Sequence, residues 1–448
     1  MDARDLRQLR RELDQFLDRY QPLFGRAENG THARQFVEGL LAGGERRNIE
    51  NLAEAVQGGV VRTLQKFISQ GVWDADHVQR ELRRHVIEAL GDPQGVLNVD
   101  ETGFAKQGQK SVGVKRQYSG TLGRVDNCQI AVMLNYCSRK GHTLIDRRLF
   151  LPHEWIDDQD RRDEAGVPEG VVFRSKPELA LEMVQEALRS GVPCRFVGGD
   201  SLYGDSPTFV QGLRLLQQTY VLDVSSTMHV WLKRPRFKRP RRMGAKRQPL
   251  TKPVPVTEAV KQIPASAFRR ITVAEGSQGP IVYDYAELTV WFSEEGNPPP
   301  SPERLLVRRS VGQNPELKFH RSNAAEEVAL PRLAQVRSCR WSIEDDIKAA
   351  KGECGLDEYE TRGWTGWHHH TILSLLALLY LVLQSQRLGE KRAGDHGAGS
   401  PSSNPSSPRP SPPDRRSDPA LVGMETPPQS SRQGQPRKTP PQRTTKAK

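Results

Sequence analysis

Cysteine is scarce in this chain and carries no pattern. The five cysteines, Cys128, Cys137, Cys194, Cys339 and Cys354, include no CxxC pair. A zinc site is therefore not expected, and the residues read as scattered reduced thiols. Long apolar runs are missing as well. The longest, Ile372 to Leu383, is interrupted by Ser374. It falls short of the roughly 20 residues that a bilayer span needs and reads as a buried helix. No apolar stretch follows Met1-Asp2-Ala3-Arg4, so no secretory signal is expected. Together these absences point to a soluble intracellular protein with no membrane partner.

Negative charge is also in deficit. The net charge is +12 over 448 residues, which favours a polyanionic partner. Its distribution is uneven. Residues 229–252 hold ten Lys and Arg and no acid, and residues 390–448 hold eleven bases and five acids, so the remainder sums to −4. The positive charge thus sits in one internal segment and one tail. That tail, 389–448, is rich in Ser, Pro, Gly and Arg. It lacks the apolar residues for a core and reads as disordered.

Periodicity divides the rest. Residues 1–94 read as an all-α N-terminal domain: Leu6, Leu9, Leu13, Phe16, Leu17 and Tyr20 make one stripe, and Asp74 caps a helix bearing Val78, Leu82, Val86 and Leu90. Glu38 to Gln57 and Val61 to Gln70 read as further helices. Such a module fits either a helix-turn-helix that reads DNA or a packing and dimerisation unit, and no recognition helix stands out. Residues 95–225 read as strands (Val96 to Asp100, Ser111 to Tyr118, Gln129 to Tyr136) followed by alternating helices and strands (Pro177 to Arg189, Cys194 to Val197, Thr208 to Gln218, Tyr220 to Val224), an α/β fold with a mixed sheet. Residues 226–310 read as a basic, β-rich insertion. The α/β pattern resumes over 311–388, with helices near Ala325 to Gln335, Ile343 to Lys351 and Thr371 to Gln386.

Three acidic segments carry the chemistry. Val96-Leu97-Asn98-Val99-Asp100 and Phe196-Val197-Gly198-Gly199-Asp200 read as buried strands ending on an aspartate, and Arg340-Trp341-Ser342-Ile343-Glu344 opens a helix. Each alone is more often a turn, a cap or a solvated charged face. Together they change the balance, because carboxylates at neighbouring strand ends share one mouth. Asp100, Asp200 and Glu344 can hold two Mg²⁺ ions, with Mn²⁺ as a substitute. Gly198-Gly199 leaves room for a close approach. If the helix starts early, Arg340 lies one turn before Glu344; a capping box of Ser342 with Asp345 would instead start it near Ile343 and leave Arg340 just outside the first turn. Arg340 and Lys351 then flank Glu344 as phosphate contacts. Lys233, Arg234, Arg236, Lys238, Arg239, Arg241 and Arg242, interleaved with Phe237 and prolines, read as a DNA-backbone contact or a solvated loop. Glu101, Asp205, Asp345 and Asp346 read as supporting or solvated acids. Tyr203 and Trp341 suit base stacking or packing on the sheet. His368-His369-His370 cannot all ligate one ion from a helix, and reads as a phosphate contact or exposed surface.

With these residues in place the sequence resembles the bacterial insertion-sequence transposases of the Asp-Asp-Glu (DDE) superfamily. The motifs are Asp100-Glu101-Thr102-Gly103-Phe104, the run Gly198 to Asp205, and Arg340 to Glu344. The spacing of Arg340, Glu344 and Lys351 is similar to the Tyr-Arg-Glu-Lys signature of one branch, with Arg337 at the tyrosine position. Tyr20-Gln21-Pro22-Leu23-Phe24, Trp73-Asp74, Phe319 to Ala324 and Lys351 to Asp357 add to the likeness, which covers roughly residues 10–385. The resemblance implies a ribonuclease-H-like catalytic fold interrupted by an insertion. It also implies Mg²⁺-dependent cleavage and strand transfer on double-stranded DNA at terminal inverted repeats and target sites, with a homodimer on paired ends, in the cytoplasm at the nucleoid. A catalytically inactive or domesticated DNA-binding relic is the alternative. A scaffold with an α/β core would leave the acidic motifs unexplained.

Overall fold

Five helices open the chain: α1 (Ala3–Asp18), α2 (Ala27–Ala42), α3 (Ile49–Ala55), α4 (Val61–Gln70) and α5 (Ala75–Leu90). The computed structural model describes residues 3–395 apart from 45, 121–122, 239–247, 277–278 and 296. The stripe on α1 is buried at Leu13, Phe16, Leu17 and Tyr20. Asp74 caps α5 by accepting from the Asp76 amide at 2.8 Å, and Val78, Leu82, Val86 and Leu90 all face inward. The single helix expected over Glu38 to Gln57 does not form. Gly43 and Gly44 take φ of +80° and +133°, a region side chains rarely enter, so the chain breaks and restarts at Asn48.

The sheet begins with β1 (Val96–Ala105), β2 (Lys115–Ser119), β3 (Arg124–Ser138) and β4 (Gly141–Phe150). After α6 (His153–Ile156), α7 (Gln159–Ala165) and α8 (Lys176–Arg189) come β5 (Phe196–Gly199), α9 (Ser201–Gly204), α10 (Pro207–Leu215) and β6 (Thr219–Val224). Then follow β7 (His229–Trp231), β8 (Val254–Pro255), α11 (Val256–Ala259), β9 (Arg269–Gly276), β10 (Gly279–Phe292), β11 (Glu303–Arg309) and β12 (Leu317–Ser322). The helices α12 (Leu330–Ser338), α13 (Trp341–Cys354) and α14 (Trp364–Asp395) complete the chain described. β1 lies between β3, to which it is antiparallel, and β5, to which it is parallel; β5 and β6 are parallel. β12 then pairs antiparallel with β6, so the strands of the 226–310 segment continue the same mixed sheet rather than forming a separate one.

The strands differ in detail from the sequence reading. Asp100 is not at a strand end, since β1 runs on to Ala105 against β3. Within the stretch read as β-rich, Gly279–Phe292 forms one long strand, β10, whose pairing with β9 shifts register at Ile281/Val282. β4 was not anticipated; residues 143–147 are buried in succession, so it lacks the alternation that marks a half-exposed strand.

α14 ties the helices to the sheet. Its Leu373, Leu375, Leu376 and Leu379 belong to one hydrophobic cluster that also holds Leu13, Phe36, Leu82, Leu97 and Leu134. Tyr380 donates to the Leu9 carbonyl at 3.0 Å. The run Ile372 to Leu383 is part of a longer apolar stretch than the sequence reading allowed: Trp364–Leu388 is long and apolar enough to cross a membrane by length and composition, with more than half of its most apolar window buried inside the protein. The histidines are also corrected. His369 stacks on Trp73 with centroids 3.7 Å apart, and His370 reaches the Gly355 carbonyl at 2.8 Å. Both are buried packing residues, not a phosphate-contacting surface. α14 extends to Asp395, seven residues into the expected tail, whose remainder lies outside the described residues.

A buried ion network joins β11, β12 and Glu294, just past β10, to α10. Arg321 donates to Glu294 at 2.7 Å and to Glu303 at 3.0 Å, and Arg214 donates to Glu294 at 2.5 Å and also bonds Glu303. Arg321→Ala leaves two buried carboxylates short of a cation. It should cost about 3–5 kcal/mol, seen as a lower urea midpoint; a midpoint unchanged from wild type would contradict this role.

Candidate active site

Register brings three aspartates side by side. Val99 pairs with Gly199, and Gly199 with Leu222. The next residue on each strand is therefore Asp100, Asp200 and Asp223, in one row at the carboxyl ends of the parallel strands β5 and β6 and beside them on β1. Asp200 closes β5 and caps α9, accepting from the Leu202 amide at 2.9 Å. The glycines before it are explained by packing: a Cβ on Gly198 would fall 2.4 Å from Asn98 Oδ1. The expected open space is filled by the neighbouring strand.

The junction of α12 and α13 lays cations over this row. Arg340 Nη1 donates to Asp100 Oδ2 at 2.9 Å and its Nη2 to Glu344 Oε1 at 2.5 Å. Its Nε lies 3.7 Å from Asp223 Oδ2. Arg337, at the position where a tyrosine was expected, is bidentate on Asp223 at 3.2 and 3.0 Å. His320, opposite Asp223 in the β6–β12 register, adds an Nδ1 contact at 2.7 Å. Sequence reasoning singled out Arg340 and Glu344 but missed Asp223 and His320.

The neighbouring acids separate by environment. Asp346 is buried, accepting from Asn135 Nδ2 and facing His142 Nδ1 at 2.7 Å. It docks α13 on the sheet, and Glu344 is left as the exposed acid beside Arg340. No capping box forms: Ser342 Oγ instead donates to the Cys339 carbonyl at 2.7 Å and to Asn135 Oδ1 at 3.1 Å. Glu101 receives the Tyr203 hydroxyl and the Lys176 ammonium, both at 3.1 Å. Tyr203 is buried and packs, whereas Trp341 is 41 % exposed. Asp205 accepts from the Ser225 amide. Lys351 does not join the cluster: its ammonium donates to the Gly103 carbonyl at 2.8 Å and faces Asp357. Lys233, Arg234, Arg236 and Lys238 are exposed, as a backbone contact requires, while Arg239, Arg241 and Arg242 lie outside the described residues.

The carboxyl groups differ sharply in proton affinity. Burial pushes Asp100 up to about 7, against the pull of Arg340 and with further help from Asp200 and Glu101. Burial and Glu101 push Asp200 up to about 6. Asp223 goes the other way: burial is outweighed by His320, Arg337 and Arg340, which hold it far below the carboxylate range. His320 itself is driven down to about 4 by burial. We therefore assign a neutral imidazole that donates from Nδ1, the tautomer following from the contact with Asp223.

The family model for the DDE superfamily endonucleases matches residues 19–280. The chain belongs to the DDE superfamily endonuclease family. The matched span contains Asp100, Asp200 and Asp223 and ends before Arg340 and Glu344. The chain is also similar to the "Probable transposase for insertion sequence element IS701" of Microchaete diplosiphon, with 26 % identity over 221 residues, 49 % of this chain and 55 % of that protein. The chain thus spans about half the length of the curated relative it matches. Two solved structures show looser likeness. One is a piggyBac transposase synaptic complex with hairpin DNA (11 % identity, 82 % of this chain and 67 % of that one, TM-score 0.37), the other the NurA nuclease of Sulfolobus solfataricus (10 %, 63 % and 92 %, TM-score 0.24).

DDE superfamily endonucleases generally use divalent metal ions, and two features of this chain fit one. The donors are all carboxylate oxygens, the chemistry hard cations take. A guanidinium already occupies the acidic cluster as a cation. Among the described residues no three His, Cys, Asp or Glu side chains converge closely enough to hold an ion as they stand; Glu344 is paired with Arg340 instead.

Raised carboxyl groups have a stability consequence. Between about pH 4 and 7 folded Asp100 keeps a proton that the unfolded chain releases, so its contribution to stability falls as pH rises through that window. Asp100→Asn removes the effect. In EDTA it should raise the melting temperature by a few degrees at pH 8, roughly 2 °C or more, and by less at pH 5. A gain independent of pH, or a loss at pH 8, would show that the carboxylate is not destabilised.

Proposed function

We propose that this DDE superfamily endonuclease is a transposase that cuts DNA at the ends of an insertion sequence and joins those ends elsewhere. The observation that carries this reading is the juxtaposition of Asp100 and Asp200, on adjacent parallel strands, with Glu344 linked to Asp100 through Arg340. Asp100, Asp200 and Glu344 would hold two Mg²⁺ ions, with Mn²⁺ as a substitute. Bound there, the ions supply an activated water or 3′-hydroxyl and neutralise charge on the phosphoryl oxygens.

The chain's own residues do the rest. β1 and β5 fix the two aspartates on rigid backbone, and α13 presents Glu344 from above. The order β4-β3-β1-β5-β6, antiparallel on one side of β1 and parallel on the other, favours a ribonuclease-H-like core built from 95–225 and 311–388, with 1–94 as a helical domain and 226–310 as the insertion. The exposed cations Lys233, Arg234, Arg236 and Lys238, continued by Arg239, Arg241 and Arg242 in the sequence, would grip double-stranded DNA without reading bases. Terminal inverted repeats and target DNA are the substrates. A homodimer on paired ends, working in the cytoplasm at the nucleoid, completes the reading.

Cleavage of a labelled DNA carrying the element's end, by purified protein with Mg²⁺, tests it. Wild type should cut, and Asp100→Ala, Asp200→Ala and Glu344→Ala should each lose on the order of a thousandfold in rate. Full activity in one variant sinks that assignment. Tight DNA binding without cleavage by wild type would favour an inactive DNA-binding relic instead.

A further inference from the structure

Arg340 is shared among carboxylates that do not need it equally. It is hydrogen-bonded to Asp100 at 2.9 Å and to Glu344 at 2.5 Å. Those are two of the three groups assigned above to cation binding, so this guanidinium competes with any ion that needs them. Its third nitrogen is badly placed: Nε is buried and has no hydrogen-bond partner, an unfavourable state for a charged group. Asp223 Oδ2 lies 3.7 Å from that nitrogen. His320 and the bidentate Arg337 fix this carboxylate from the far side. A carboxylate offers about four acceptor sites, and the three bonds from His320 and Arg337 leave room on Oδ2. The α13 backbone need not move, since Asp346 anchors it to Asn135 and His142.

We propose that Arg340 is a displaceable counter-ion of Asp100 and Glu344, and that Asp223, held by His320 and Arg337, is the positioning residue that receives its guanidinium when a divalent cation takes those two carboxylates. The inference rests on the metal reading above and extends it. A +1 group moves aside by a short side-chain swing toward a fixed −1 group, which keeps the arriving cation from facing an uncompensated positive charge. It also gives Arg337 a purpose, since with His320 it keeps Asp223 ionised and fixed where the guanidinium can reach it.

The test is Mn²⁺ affinity of the full chain, prepared metal-free and read by the electron paramagnetic resonance of free Mn²⁺. Arg340→Ala should bind about tenfold tighter than wild type, and Asp223→Asn several-fold weaker. In the Arg340→Ala background, Asp223→Asn should change the affinity less than about twofold, because the residue it serves is gone. A weakening by Asp223→Asn that persists in that background would mean that Asp223 acts on the ion directly, by its charge or as a ligand, and would overturn the proposal. So would an Arg340→Ala affinity equal to or below wild type, and this single variant decides if Asp223→Asn fails to fold. Asp100→Asn separates the two readings. Binding that survives it places the ion elsewhere and removes the metal reading with this one; binding lost there but indifferent to Arg340→Ala removes this one alone.

Discussion

Carboxylates on neighbouring strands repel one another, and the way the fold offsets that repulsion organises the rest of this molecule. Asp100, Asp200 and Asp223 stand in one row, set by the β1–β5–β6 register. Each is handled differently. Asp223 is held by Arg337 and a neutral His320, and stays ionised. Asp100 shares Arg340 with Glu344 and still holds its proton to about 7. Asp200 has only a backbone amide within the cap of α9, and rises to about 6. The row is thus graded from satisfied to unsatisfied, and the unsatisfied end is where an additional cation gains most.

Two structural commitments make this grading possible. The α13 helix must sit at one fixed height over the sheet, and it does so through a buried polar chain. Asn98 donates to Asn135 at 2.9 Å, Asn135 to Asp346, and Ser342 to Asn135. Such a network specifies one position because an unmade bond inside it is costly. The second commitment is the path of the 226–310 segment. After wandering through β7 to β11 the chain returns as β12, antiparallel to β6, with His320 opposite Asp223. The segment is therefore coupled to the acidic row by a residue at its exit, and the Arg214–Glu294–Glu303–Arg321 network fastens the same strands from behind.

Much of this was legible in the sequence where local pattern and tertiary demand coincide. Asp100 and Asp200 follow runs that are buried on both faces, and Arg340 and Glu344 are one helical turn apart, so residue type and spacing suffice. Asp223 had a signal of the same kind, Tyr220-Val221-Leu222 leading to an acid, but its partners Arg337 and His320 lie about a hundred residues away and nothing local marks them. β4 and the histidines failed for a related reason. Residues buried from both sides lose the alternation that reveals a strand, and His369 and His370 look polar until Trp73, in the α4–α5 linker, and Gly355, at the C-cap of α13, are brought against them. The broken helix after Ala42 was signalled by Gly43-Gly44, a pair whose positive φ values the pattern of apolar residues could not show.

The central claim is that Asp100, Asp200 and Glu344 form one divalent-cation site in this fold. Fe²⁺ placed in such a site, with ascorbate and peroxide, generates hydroxyl radicals that cut the nearby polypeptide. The account predicts backbone cuts clustered near residues 100, 200 and 344, suppressed by excess Mg²⁺ and abolished in Asp100→Asn. Cuts that are scattered, that cluster elsewhere, or that persist in Asp100→Asn would contradict it.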